Sequence, residues 1–172
     1  MPGLLDAVVA RSKLQREWAM KVVADLSEEE LAWRPSTTAH SIAWTLWHIA
    51  RADDNAVRDL TGRSIWKDGS YRERWGLTTD RMNRMEDGEA AAMRMPPKDE
   101  LLGYVRAVFA ATDAATDAID AARSEEQIES GFVGRRITVG ELCVALVSHD
   151  GRHLGEMEYI KGLQGTPGTA TV

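Results

Sequence analysis

Apolar residues recur at helical spacing in four stretches of the chain, and no window alternates β-branched with polar residues over the length of a convincing strand. In the first stretch, from about Leu4 to Leu26, Leu4, Val8, Leu14, Trp18 and Val22 fall on one stripe. Ser27 then opens a short acidic turn, Glu28-Glu29-Glu30-Leu31, which Pro35 ends. A second helix follows the cap-forming Ser36-Thr37-Thr38, spans about Ser41 to Leu60 and is closed by Gly62. The third begins near Pro97 and steps alternately by four and three residues through Leu101, Val105, Val108, Thr112, Ala115, Ile119 and Ala122, the seam of a bundle helix. Thr138-Val139-Gly140-Glu141 matches a capping box, in which hydroxyl and carboxylate each satisfy an orphan amide, and a fourth helix runs from there to about Leu163.

The connection from Thr61 to Pro97 is long and polar, broken by Gly62, Gly69, Gly76, Gly88 and Pro96, with a short helix from about Thr79 to Met85. Connections of that length in compact domains are functional or mobile. The closing stretch Gly165 to Val172 is too poor in apolar groups to pack by itself and reads as a flexible tail. Four long helices with two sizeable connections predict an all-α fold, a four-helix bundle with long inter-helix connections. A chain of 172 residues is close to the common size of one domain, so 1–172 is taken as a single unit.

Charge and cysteine content narrow the function classes. A net charge of −6 disfavours nonspecific binding to nucleic acid or anionic membranes, which need concentrated positive charge. The arginines between Arg58 and Arg94 are interleaved with acids such as Asp59, Asp68, Glu73 and Asp80, the mark of a mixed, solvated surface. No apolar run approaches the roughly 18 to 20 residues of a membrane span, and the start shows no secretory signal, so the expected location is the cytoplasm. Cys143 is the only cysteine, so a metal site would have to rest on histidines and carboxylates.

The fourth helix carries the candidate chemistry. Leu142, Leu146, His149, His153, Met157 and Ile160 form one stripe in which two histidines interrupt apolar residues. Residues four apart share a helix face, so the two imidazoles can converge on one zinc, nickel or iron ion. A lone histidine on such a stripe is usually a satisfied core residue, but two side by side without a metal would leave several polar nitrogens to satisfy. Gly151 and Gly155 cost helix stability and suit close approach of a neighbouring helix or a ligand. A third ligand would come from another helix, with His48 the best placed; His40 lies beside a cap, and His48 itself could equally be a packed position among Trp44, Trp47 and Arg51. The helix can be drawn with Ile42, Leu46 and Ile49 inward or with Trp44, His48 and Arg51 inward. Asp53, Asp54, Asp150 and Glu156 are near in sequence and could orient an imidazole, although exposed helix carboxylates are commoner. The spacing is not that of a zincin, since Asp150 stands where such a protease needs Glu. Cys143, roughly 240° around the helix from His149, should face away.

Leu31-Ala-Trp-Arg-Pro35, Ser41-Ile-Ala-Trp-Thr-Leu-Trp-His48-Ile-Ala and His149-Asp-Gly-Arg-His153-Leu-Gly-Glu-Met-Glu-Tyr-Ile-Lys-Gly-Leu163 resemble, in order and position over nearly the whole chain, the DinB-like family of metalloenzymes. The resemblance implies a metal held by His48, His149 and His153 at one end of the bundle. It implies an enzyme with open coordination positions that activates a water for hydrolysis, or a low-molecular-weight thiol such as mycothiol or bacillithiol for transfer or isomerisation, on a small-molecule substrate. It also implies pairing into a homodimer, for which Trp18, Val22 and Val23 offer more apolar surface than one seam consumes. The alternatives are a noncatalytic metal-binding domain, in which the ion only clamps two helices, and a structural dimerisation module with core histidines.

Overall fold

The computed structural model describes residues 3–77, 79, 85 and 87–168. Its elements in chain order are α1 (Leu4–Ala24), α2 (Glu28–Ala32), α3 (Ile42–Thr61), α4 (Ile65–Asp68), α5 (Tyr71–Arg74), α6 (Asp87–Ala92), α7 (Lys98–Asp117), α8 (Ala121–Ser124), β1 (Gln127–Ser130), β2 (Arg135–Thr138) and α9 (Val139–Leu163). The four long helices α1, α3, α7 and α9 form a four-helix bundle. α1 packs on α9 and α7, and α3 packs on the same two, so α1 and α3 lie on opposite corners although they are consecutive long helices. No helix among the described residues is long and apolar enough to cross a membrane.

Local chemistry sets the helix ends. Ser41 Oγ accepts the Trp44 amide at 3.2 Å to start α3, and Gly62 ends it at φ 77°, a left-handed conformation that costs glycine little. The capping box at the start of α9 is formed: Thr138 Oγ1 accepts from Glu141 N at 3.1 Å, and Glu141 Oε2 accepts from Thr138 N at 2.7 Å. α7 stops at Asp117, short of the expected Ala122, because Asp120 Oδ1 takes the amide of Arg123 and starts the separate turn α8.

Three readings need correction. First, α1 buries Ser12, Gln15, Arg16, Ala19, Val22 and Val23, whereas Leu4, at the head of the expected stripe, is 84% exposed. The inward face is polar in its first half because it meets carboxylates from three other helices, those of Asp53 and Asp150 buried and that of Asp113 half-buried. Second, an antiparallel hairpin, β1 with β2, pairs Ile128 with Ile137 and leads directly into α9. Each strand has four residues, too few for an alternation to register in the sequence. Third, the connection expected to be functional or mobile is anchored over 66–75: Trp66 is buried and meets Trp47, Tyr71, Trp75 and Tyr104 ring to ring. The short helix expected over 79–85 falls mainly on 80–84, outside the described residues. Of the expected tail, residues 166–168 carry no helix or strand and 169–172 lie outside the described residues.

Candidate metal centre

α3 delivers His48 from its second turn, within a run of buried residues. Every residue from Ile42 to Val57 is buried, so the helix has no solvent face and both ways of drawing it inward apply at once. One turn earlier, the Trp44 indole stacks on the His48 ring with centroids 5.0 Å apart and planes 10° apart, and His40 stacks on Trp44 at 3.7 Å. α9 presents His149 and His153 one turn apart, with ring centroids separated by 4.5 Å. Their rings lie 5.0 and 4.7 Å from that of His48. The three residues each offer a ring nitrogen such that these atoms all lie within 4.8 Å of one another, and His48 Nε2 is 3.2 Å from His149 Nε2.

Burial decides the protonation of His48 and His149. Desolvation, followed by the fields of the neighbouring imidazoles, pushes His48 down to about 3, and desolvation with His153 and Arg152 pushes His149 down to about 3. Both rings are therefore neutral near pH 7 and keep a lone pair. Carboxylates fix the other nitrogens: His153 Nδ1 donates to Glu156 Oε2 at 2.7 Å, and His149 Nδ1 donates to Asp150 Oδ1 at 3.3 Å. Those bonds hold the His149 and His153 rings in the tautomer whose Nε2 carries no proton, the usual outer layer of a histidine metal site. The His153 hydrogen bond also holds the Glu156 carboxyl below its ordinary value.

These residues fit a divalent ion. Two nitrogens each about 2.0–2.1 Å from one tetrahedral zinc stand about 3.3 Å apart, close to the 3.2 Å between His48 and His149. Arg152 Nη2 donates to His153 Nε2 at 3.0 Å, so a metal on that nitrogen requires this exposed side chain to swing aside. No further His, Cys, Asp or Glu joins the cluster among the described residues.

Below the histidines lies a charged layer that spacing alone did not reveal. Arg16 of α1 reaches Asp53 of α3 at 3.5 Å, Asp113 of α7 at 2.5 Å and Asp150 of α9 at 3.8 Å. Burial raises the carboxyls of both Asp53 and Asp150, with the Arg16 charge opposing the rise. Of the two readings left open for the acids near the ligands, exposure does not hold for Asp53, Asp54 and Asp150, which are buried, and Asp150 meets His149. The available signal was the polar run Ser12, Gln15, Arg16, which continues the helical face of Ala19, Val22 and Val23.

Other candidates take ordinary places. Asp54 accepts from Ser64 Oγ and Ile65 N, both at 2.6 Å, and pairs with Arg51, so it anchors the turn after α3. His40 stands outside the three-histidine cluster. Cys143 packs with Ile119 and Val139. A Cβ on Gly151 would come 2.5 Å from Gln15 Nε2, so this glycine admits α1, whereas nothing lies within 4 Å at Gly155. Phe132, in the hairpin turn, meets His149 edge to face at 5.3 Å, and Asp59 of α3 fixes that turn by accepting from Ser130 Oγ and Phe132 N. The sequence carried no signal for Phe132, because its approach depends on the hairpin.

A family model described as the DinB superfamily matches residues 13–157. Among solved structures, a conserved protein from Enterococcus faecalis superposes with a TM-score of 0.78 at 19% identity, covering 94% of this chain and 96% of that one. YfiT from Bacillus subtilis, described as a probable metal-dependent hydrolase with an unusual four-helix bundle topology, superposes with a TM-score of 0.65 at 10% identity, covering 96% and 94%. No curated protein matches the sequence.

Proposed function

This chain belongs to the DinB superfamily, and from that footing we propose that it is a metal-dependent enzyme whose His48, His149 and His153 hold one divalent ion. The observation that carries the reading is the convergence of three ring nitrogens, from two helices, within 4.8 Å. Zinc, nickel and iron all suit such a donor set. When bound, the ion supplies Lewis acidity at a position left open to a water or a thiol.

The chain's own groups do the rest. His48 and His149, held neutral by burial, offer lone pairs without first losing a proton. Asp150 and Glu156 keep the rings oriented, and Phe132 with Trp44 excludes water from two sides. Hydrolysis, as in the description of YfiT, and transfer or isomerisation with a thiol such as mycothiol or bacillithiol both use an open position of this kind. A purely structural clamp would favour a closed, four-ligand site, and the three-residue cluster favours catalysis over it. A homodimer belongs to the same reading, with its surface away from Val22 and Val23, which the bundle's own core consumes; sedimentation equilibrium reads it.

Elemental analysis is expected to find one divalent metal per wild-type chain, lost in His149→Ala and His153→Ala while circular dichroism keeps most of the helix signal. His48→Ala is expected to gain less melting temperature than wild type from added zinc or nickel, because a two-histidine site binds more weakly. Equal metal content in wild type and the α9 variants would sink the assignment.

A further inference from the structure

A pocket of about 430 Å³ opens between α2, the start of α3 and the stretch from α6 into α7. Its volume is within the range of sites for small organic molecules. Leu31, Ala43, Leu101, Met93 and Met95 make its apolar lining, and methionines adapt their shape to what they cover. Trp44 forms one wall, and the same indole stacks on His48. Pocket and histidine cluster therefore share a side chain.

The charge around the pocket runs against that of the chain. Arg34, Arg94 and Lys98 face it, with Glu28 the one acid in its lining, in a protein whose net charge is −6. Arg34 donates to the carbonyls of Ala39 and Thr37, and Lys98 Nζ to those of Ala24 and Leu26. Bonds to carbonyls orient these cations; the Lys98 charge is partly taken up by Asp25, whose carboxyl it helps to lower, which leaves Arg34 and Arg94 to set the field of the pocket. Among the described residues, no salt bridge engages Arg34, Arg94 or Lys98. A local positive field over an apolar lining selects a ligand with an apolar body and an anionic group.

We propose that this pocket binds a small amphipathic organic anion, its apolar body against Met93, Met95 and Trp44 and its negative group toward Arg34 and Arg94. As the seat for part of the molecule on which the metal centre acts, it rests on the metal reading above. As a binding site it does not.

The test uses metal-loaded full-length protein and three probes of one shape: naphthalene-2-carboxylate, the neutral naphthalene-2-methanol and the cationic 2-naphthylmethylamine. Calorimetry measures affinity, and methionine methyl NMR, with Met93→Leu and Met95→Leu for assignment, locates the ligand. The carboxylate is expected to bind roughly tenfold or more tighter than the alcohol, as one added charged contact allows. It is also expected to shift the Met93 and Met95 methyl signals and to bind more weakly to Arg94→Gln, a substitution of an exposed residue. No measurable carboxylate binding, equal affinity for carboxylate and alcohol, or unmoved Met93 and Met95 signals would each overturn the proposal. His149→Ala keeps the two readings apart: it should hold no metal and bind the carboxylate as wild type does. Loss of carboxylate binding in that variant would overturn the pocket as a site independent of the metal.

Discussion

A free histidine titrates close to neutrality, and burial has moved His48 and His149 well away from that point, to about 3 each. The sign of the consequence follows from linkage. Unfolded, each ring takes a proton near 6.5, while folded it refuses one until about 3. Over that window the unfolded chain binds more protons, so these two groups lower the stability of the metal-free protein as pH falls from 6.5 toward 3 and leave it unchanged above. Asp53 and Asp150 act in the opposite sense: their raised folded values mean that they lower stability as pH rises. Comparing melting temperatures of metal-free wild type and His48→Gln between about pH 6.5 and 4.5 isolates the histidine. The variant is expected to fall less steeply, and parallel curves would show that His48 is not held neutral by its surroundings. The i,i+4 pair His149 and His153 was legible from spacing, and His48 from resemblance. The burial of Asp53 and Asp150 was not, because it depends on Arg16, far away in the chain and supplied by a different helix.

At the scale of the helix, α9 contains two glycines whose surroundings differ. Gly151 gives room to Gln15, and a side chain there must push that amide away. Gly155 is exposed with nothing within 4 Å of an added Cβ. Alanine in an exposed helix interior stabilises by about 1 kcal/mol relative to glycine. Gly155→Ala is accordingly expected to gain about that much in chemical denaturation, and Gly151→Ala to gain less. An equal gain at both positions would mean that Gln15 moves at no cost. α3 teaches a complementary lesson. Its stripe was ambiguous because the helix is buried all round, and a pattern that asks which face is apolar has no single answer for such a helix.

Across the whole molecule, Arg16 joins the four long helices, since its guanidinium on α1 meets carboxylates from α3, α7 and α9. Removing one partner of a buried ionic group leaves uncompensated charge and typically costs about 3–5 kcal/mol. Arg16→Met is expected to lose stability on that scale in urea unfolding at about pH 8.5, above the value of about 7 to which Asp150 is raised. The loss should shrink as pH falls, because Asp53 and Asp150 become neutral by taking up protons. A loss under about 1 kcal/mol at about pH 8.5 would show that the carboxylates do not depend on Arg16 for compensation. The same layer lies against the histidines through Asp150, so the packing of the bundle and the orientation of His149 are coupled.

Helical periodicity, caps and the two-histidine spacing are local properties, with each signal carried by residues within a turn or two of one another. The sequence by itself therefore determined the four long helices, the capping box at Thr138 and the pairing of His149 with His153 on one face. Only the tertiary structure decided which helices are neighbours, that His48 Nε2 comes 3.2 Å from His149 Nε2, that three carboxylates share Arg16, and that a cation-lined pocket opens between α2, α3 and α7. Each of those is a contact between residues distant in the chain, set by the packing of whole helices, and no window along the sequence contains both partners.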